Sequence, residues 1–330
     1  MAVSTGKLIA CGKLVPPSDS VLWSLRAEQH RHFLLRNPSD YGDLFERKDG
    51  HGGIMIKLTS EEIRFFRDEG YVIKRKVLDE TLMARARERL WENAPPEIKR
   101  NDPDTWVGPI KKYKKENSTV AVDTSSERNF NVPDNGGEFG WYYRSIGREN
   151  WMVHMLLTNS QIWRMAEQML GEGSIALPSR LRGIYCRLPE PDNGNQSAGD
   201  HCHTDRHSFH LGVVGYIDDV PPNGGGFTVW PKSHSVFYYR HKTEHGGERT
   251  EEWQADIDFF KQKIPVECHG GAGDIIFCHH RLAHGVGYNR SKSIRKAVLG
   301  EFKKIDLEER MTKPPAENMW DGWPGISTDK

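Results

Sequence analysis

From Leu177 onward the chain is built largely of short apolar runs, LRGIYCRL, LGVVGYIDDV, GFTVW, IPVEC, DIIFCH and KAVLGEF, broken by Gly, Pro and Asn. Runs of this length, enriched in β-branched and aromatic residues and closed by turn formers, have the signature of strands. Several of them at such spacing predict an all-β half, folded as a jelly roll or cupin-like double-stranded sandwich. The charged stretch from about 240 to 263 interrupts the strands and is expected to form a helix-containing insertion.

The first half has a different pattern. Thr59-Ser60-Glu61-Glu62 has capping-box spacing, and Ile63, Phe66 and a Gly70 stop enclose a short amphipathic helix, with Tyr71-Val72-Ile73 expected as a strand. Leu82, Met83, Ala86, Leu90 and Trp91 return at three- and four-residue intervals, which predicts a second helix over about 79–93. Residues 151–170 regain helical spacing and stop at Gly171, whereas Pro95 to Gly147, rich in Pro, Gly, Asn and Lys, reads as long loops. The expected organisation is an N-terminal extension over 1–56, one domain over 57–310 and a tail over 311–330. Within the domain, a helix-and-loop part (57–176) packs on the outside of the β core (177–305), giving a mainly β fold with flanking helices.

The densest chemical signal is His201-Cys202-His203-Thr204-Asp205-Arg206-His207. In an extended chain, alternate residues share a face, so an imidazole and a carboxylate two positions apart can meet one metal ion. Parity alone leaves His203-Thr204-Asp205 and Asp205-Arg206-His207 equivalent. A further histidine can come from GAGDIIFCHHRLAHGVGYNRSKSIRKAVLGEF, where His279, His280 and His284 compete for the place. Two imidazoles and one carboxylate suit Fe(II) with open positions for other ligands. Arg295 stands on a strand whose same-parity neighbours, Ala297 and Leu299, are apolar. A guanidinium facing such an interior suits a carboxylate, which it can grip through two parallel hydrogen bonds.

Taken in order, LTSEEIRFFRDEGYVI, HTD, NGGGFTVWPKSH, GAGDIIFCHHRLAHG and the segment from His284 to Arg295-Lys296-Ala297 resemble the phytanoyl-CoA dioxygenase family over about residues 57–303. The resemblance implies a double-stranded β-helix that binds Fe(II) through the HxD pair and the distal histidine, here His203, Asp205 and His284. It also implies that Arg295 holds the far carboxylate of the cosubstrate 2-oxoglutarate. Thr204 and Tyr185 are further candidate cosubstrate contacts. The implied reaction is an O2-dependent oxidation, by hydroxylation, of a C–H bond in a small-molecule or acyl substrate, releasing succinate and CO2. With Asp205 present, the coordination position that a halide would need is taken, which favours hydroxylation over halogenation. The chain departs from the family pattern at Thr204, where Gln is frequent, and at Lys232, where Gly is usual.

Other readings of the same residues are a same-fold oxygenase performing desaturation, epoxidation or ring closure, and a non-catalytic metal-binding jelly roll. A closed zinc site drawn from Cys202, His207, Cys268, Cys278, His279 or His280 is disfavoured, because the thiols lack paired spacing. Trp141-Tyr142-Tyr143, Tyr185 and Trp230 are candidates for a pocket wall or for plain core. The run Lys111 to Lys115 suits a phosphate or a solvated loop, and Trp320 and Trp323 suit a cover over the site or an anchor for the tail. Lys+Arg and Asp+Glu are both 46, so no net field recruits nucleic acid or an acidic membrane. Five scattered cysteines without a CxxC pair, no signal-like apolar run and no span-length segment point to a reducing, cytoplasmic setting without membrane insertion.

Overall fold

The computed structural model describes residues 57–326, apart from 116–117, 119 and 125–127; the expected extension over 1–56 lies outside the described residues. Helix α1 (Ser60–Glu69) starts at the anticipated capping box: Thr59 Oγ1 accepts from Glu62 N at 3.1 Å, and the Glu62 carboxylate accepts from Thr59 N at 2.7 Å. It ends at Gly70, whose φ of 85° suits glycine and where a Cβ would lie 2.5 Å from His234 Nδ1. Strand β1 (Tyr71–Lys74) follows at once, then α2 (Glu80–Leu90), capped by Asp79.

The stretch read as loops instead carries five strands, β2 (Ile110–Lys114), β3 (Val120–Thr124), β4 (Arg128–Val132), β5 (Asn135–Glu138) and β6 (Gly140–Tyr143). Sequences such as NGGE pair through backbone groups at the periphery of a sheet, where no apolar alternation is required, so period-2 patterning misses them. Two helices replace the continuous helical stretch over 151–170. They are α3 (Asn150–Leu156) and α4 (Ser160–Leu170), divided because Asn159 Oδ1 accepts from Gln161 N and Ile162 N and so starts a new helix.

The later strands are β7 (Gly183–Arg187), β8 (Leu211–Tyr216), β9 (Phe227–Val229), β10 (Val266–Cys268), β11 (Ile275–His279), β12 (His284–Val286) and β13 (Arg295–Phe302). An eight-stranded antiparallel sheet has the order β1-β11-β8-β13-β7-β6-β5-β2, and a smaller sheet has the order β10-β9-β12. At one margin of the large sheet, β2 exposes Lys111, Lys112 and Lys114, so the lysine run lies on a solvated strand.

Strand β8, inside the large sheet, is buried on both faces, which explains why LGVVGY is apolar throughout. Val213, Ile275, Phe277, Val298 and Phe302 face outward into a core shared with Met83, Leu156 and Met165 of the helices. Val214, Tyr216, Ile276, Cys278 and Ala297 face inward and pack with Val229 and Cys268 of the small sheet. Tyr216 braces the two layers: its hydroxyl donates to Cys268 O at 2.5 Å and accepts from Phe227 N at 2.8 Å. The result is a double-stranded β-helix with helices on its outer side. The 240–263 stretch includes the whole of α6 (Trp253–Lys261), which follows α5 (Ser233–Phe237). Lys232, just before α5, has a left-handed φ of 67°, the physical reason that glycine suits this turn. No helix among the described residues is long and apolar enough to cross a membrane.

Trp323 is buried against Phe66 and stacks on His279, so it anchors the tail. Beneath it the imidazoles of His210, His245, His280 and His279 stand in file, with successive ring centroids 4.0, 4.2 and 4.3 Å apart. Burial pushes His210, His279 and His280 well below the ordinary imidazole value and His234 down to about 4. Below the ordinary value of about 6.5, the unfolded chain therefore binds protons that the folded chain refuses. Stability is expected to be full above pH 6.5 and to fall as the pH drops from there toward 4. Urea midpoints at pH 7, 6 and 5 should decline by more than one proton's worth of slope, and His234→Asn should flatten the curve. A midpoint constant over that range would contradict the account.

Candidate metal centre

The site forms where the chain at His203 joins the margin of the small sheet. His203 N donates to His284 O at 3.0 Å and His284 N donates to His203 O at 2.8 Å. This pairing sets the two rings 4.5 Å apart between centroids. The extended backbone then turns Asp205 to the same side as His203, with Asp205 Oδ2 3.5 Å from His284 Nε2. One ligand atom from each of the three residues lies within 4.8 Å of the others.

Each imidazole is also fixed in the form a metal requires. His203 Nδ1 lies 2.8 Å from His201 O and His284 Nδ1 lies 2.9 Å from Leu282 O. A carbonyl only accepts, so Nδ1 carries the proton and Nε2 keeps its lone pair. Burial pushes His284 down to about 4, which favours the neutral ring. Burial opposes its ionisation, but His207 and Arg182 hold Asp205 below the ordinary carboxylate range. Arg182 Nη1 stands 3.8 Å from Asp205 Oδ2 and 3.4 Å from Glu301 Oε1, and His207 Nε2 is hydrogen-bonded to Glu301 Oε1 at 2.5 Å. Burial alone would lower the His207 pKa, yet Glu301 and Asp205 raise it. His207 is thus hydrogen-bonded to Glu301, with its Nδ1 3.7 Å from Asp205 Oδ1, and the compact three-residue cluster is formed by His203, Asp205 and His284. His279 and His280 sit in the imidazole file under Trp323 and do not line the cavity.

The cavity beside the triad measures about 580 Å³. Arg295 opens β13 on its wall, with Nε donating to Gly225 O at 2.8 Å and Nη1 to Tyr185 O at 3.0 Å. Tyr185 lines the same cavity, its ring 4.9 Å from that of Tyr142. Trp141 and Trp230 are core, buried at 0% and 1% exposure. Thr204 requires a correction. It is buried on the opposite side of the strand from His203 and Asp205, its hydroxyl accepting from Trp253 Nε1 at 3.1 Å and its carbonyl from Arg249 Nη2 at 2.9 Å. The same alternation that unites residues 203 and 205 turns 204 away, so its side chain braces α6 and does not reach the cavity.

Arg144, Arg182 and Glu301 are cavity residues that sequence reasoning left without a role. Glu301 was within reach of it, because 295, 297, 299 and 301 share one face of a regular strand. The described cysteines, Cys186, Cys202, Cys268 and Cys278, are all buried free thiols, and none joins the triad.

The chain is 28% identical over 141 residues to a probable phytanoyl-CoA dioxygenase of Caenorhabditis elegans, covering 39% of this chain and 45% of that protein. The match thus spans less than half the length of that curated relative. Among solved structures it is similar to AviO1 from Streptomyces viridochromogenes Tue57, at 19% identity and a TM-score of 0.46, covering 80% of this chain and 99% of that one. It is also similar to the non-heme alpha ketoglutarate dependent carbocyclase SnoK from nogalamycin biosynthesis, at 19% identity and a TM-score of 0.45, covering 81% and 98%. EctD from S. alaskensis with bound Fe is similar at 14% identity and a TM-score of 0.44, covering 81% and 84%. The family model for phytanoyl-CoA dioxygenase (PhyH) matches residues 66–297, well over half of the sequence, and the chain belongs to that family.

Proposed function

We propose that this protein is an Fe(II)- and 2-oxoglutarate-dependent dioxygenase that hydroxylates a C–H bond of a small-molecule or acyl substrate. The observation that carries the reading is the triad itself: two imidazoles with Nε2 lone pairs and one ionised carboxylate, converging beside an inward guanidinium. This donor set fits a ferrous ion with positions left for other ligands. His203, Asp205 and His284 would hold it. Iron bound there with 2-oxoglutarate supplies the O2-dependent oxidation of the substrate, with release of succinate and CO2.

The remaining work belongs to the chain. The Leu282 and His201 carbonyls fix ring orientation, and Arg182 and His207 keep Asp205 ionised. Arg295 is anchored through Nε and Nη1, leaving three of its five N–H groups for the distal carboxylate of the cosubstrate. The inward faces of β8 and β13 present apolar Val214 and Leu299 to the cavity, which limits water around the reacting carbon.

Asp205→Ala and His284→Ala are expected to abolish stoichiometric Fe(II) binding in an anaerobic calorimetric titration and, with it, succinate formation. Retained tight binding in both variants would sink the ligand assignment. Arg295→Gln should keep metal affinity while weakening 2-oxoglutarate roughly tenfold to a hundredfold, the worth of a charge-assisted contact. Arg295→Lys should recover only part of that loss, since the planar fork is gone. Unchanged 2-oxoglutarate dependence in Arg295→Gln would remove this residue from its role.

A further inference from the structure

Next to the metal cavity lies a second chamber of about 340 Å³, walled by residues 176–182 ahead of β7, by Val132 and by the far end of β13. Arg144, Arg182, Tyr185 and Glu301 line both chambers, so the two meet at these four side chains. Its lining includes Arg144, Arg180, Arg182, Lys303 and one carboxylate, Glu301. That carboxylate is already bound by His207 at 2.5 Å and lies 3.4 Å from Arg182.

Arg144 stands apart from the other cations. Its guanidinium donates to Pro133 O at 3.2 Å and to the Asn135 side chain, and it lies over the rings of Tyr142 and Tyr185, 4.6 and 5.3 Å from their centroids. All of these partners are neutral groups, and among the described residues no carboxylate comes within ion-pair distance of it. The neighbouring Asp134 carboxylate is spent on the Arg144 and Ser145 backbone N–H groups and on the Ser145 hydroxyl. A planar cation held in place by neutral groups, facing a cavity and lacking a counter-charge, is a preorganised receptor for an anion. Arg144 is half-buried, so water only partly screens its pull on an anion in the cavity. The cosubstrate has its own guanidinium in Arg295, which lines the metal cavity and not the side chamber.

We infer that the primary substrate is a small organic anion whose carboxylate or phosphoryl group binds Arg144, with Arg182 alongside, at the junction of the chambers, leaving its oxidisable carbon in the metal cavity. This assignment rests on the oxygenase reading for its chemistry but on Arg144 alone for its charge. It gives Tyr185 a part different from the cosubstrate contact expected of it: its ring stacks against the anion-binding guanidinium, while only its carbonyl touches Arg295.

The test is calorimetric titration of the full chain, loaded with Mn(II) and 2-oxoglutarate, with octanoate, octyl phosphate and the uncharged octanamide. At least one of the two anions should bind ten times or more tighter than the amide, and which of them does so identifies the head group. Arg144→Gln should weaken that anion roughly tenfold to a hundredfold with 2-oxoglutarate affinity unchanged. Arg144→Lys, which keeps the charge, should recover part of the loss. Failure of both anions to bind, equal affinity for the amide, an unaltered anion affinity in Arg144→Gln, or a loss confined to 2-oxoglutarate would each overturn the proposal. Repeating the titration on metal-free protein separates the two ideas. A chain that binds the anion through Arg144 but takes up neither metal nor cosubstrate overturns the oxygenase reading and leaves the anion site standing.

Discussion

Two backbone hydrogen bonds between His203 and His284 decide the geometry of everything around them. They join stretches far apart in the chain and fix the separation of the two imidazoles. Through strand alternation they also determine that Asp205 faces the same point while Thr204 does not. The small sheet can supply this pairing because β9 already holds β12 in register, with His284 opposite Val229. The large sheet supplies the opposite wall, and the Tyr216 hydroxyl, bonded to both β9 and Cys268, ties the two layers together. Loss of register by one residue would send the carboxylate into the packing around Trp253 and bring a threonine to the cavity.

Much of this was legible in the residues because local rules and the global fold agree. The Thr59 capping box, the Gly70 stop and the runs LRGIYCRL, LGVVGYIDDV, DIIFCH and KAVLGEF each correspond to an element, whereas IPVEC forms a strand with Ile264 and Val266 exposed. What escaped had a physical cause. Strands β2, β5 and β6 form one end of the large sheet and β3 and β4 a separate two-stranded sheet, where backbone pairing can set a strand without a long apolar run to announce it. Arg144 and Arg182 reach the site from segments that only the folded sheet brings together, and no spacing rule links 144, 182 and 301. Thr204 was grouped with its neighbours by sequence position, although the period of an extended chain already assigned it to the opposite face.

The electrostatic pattern also becomes local once the chain folds. A sequence with equal numbers of acidic and basic residues gathers Asp205, Glu301, His207 and Arg182 into one buried network, in which each charge offsets the cost of burying the next. The consequence is a carboxylate held ionised at the cavity wall, close to the apolar side chains of Val214 and Leu299. The file of imidazoles beneath Trp323 is the opposite case, a group of histidines kept neutral by burial and packed as flat aromatic surfaces.

The lysines on β2 bear on how copies of this protein meet. An outermost strand offers unpaired N–H and C=O groups to any extended segment that approaches, and a sheet of eight strands would otherwise be a template for growth. Lys111, Lys112 and Lys114 place positive charge along that margin, so that a second molecule aligning its own β2 there meets repulsion before any backbone bond can form. The lysine run thus stands where its charge opposes edge-to-edge pairing of two such sheets.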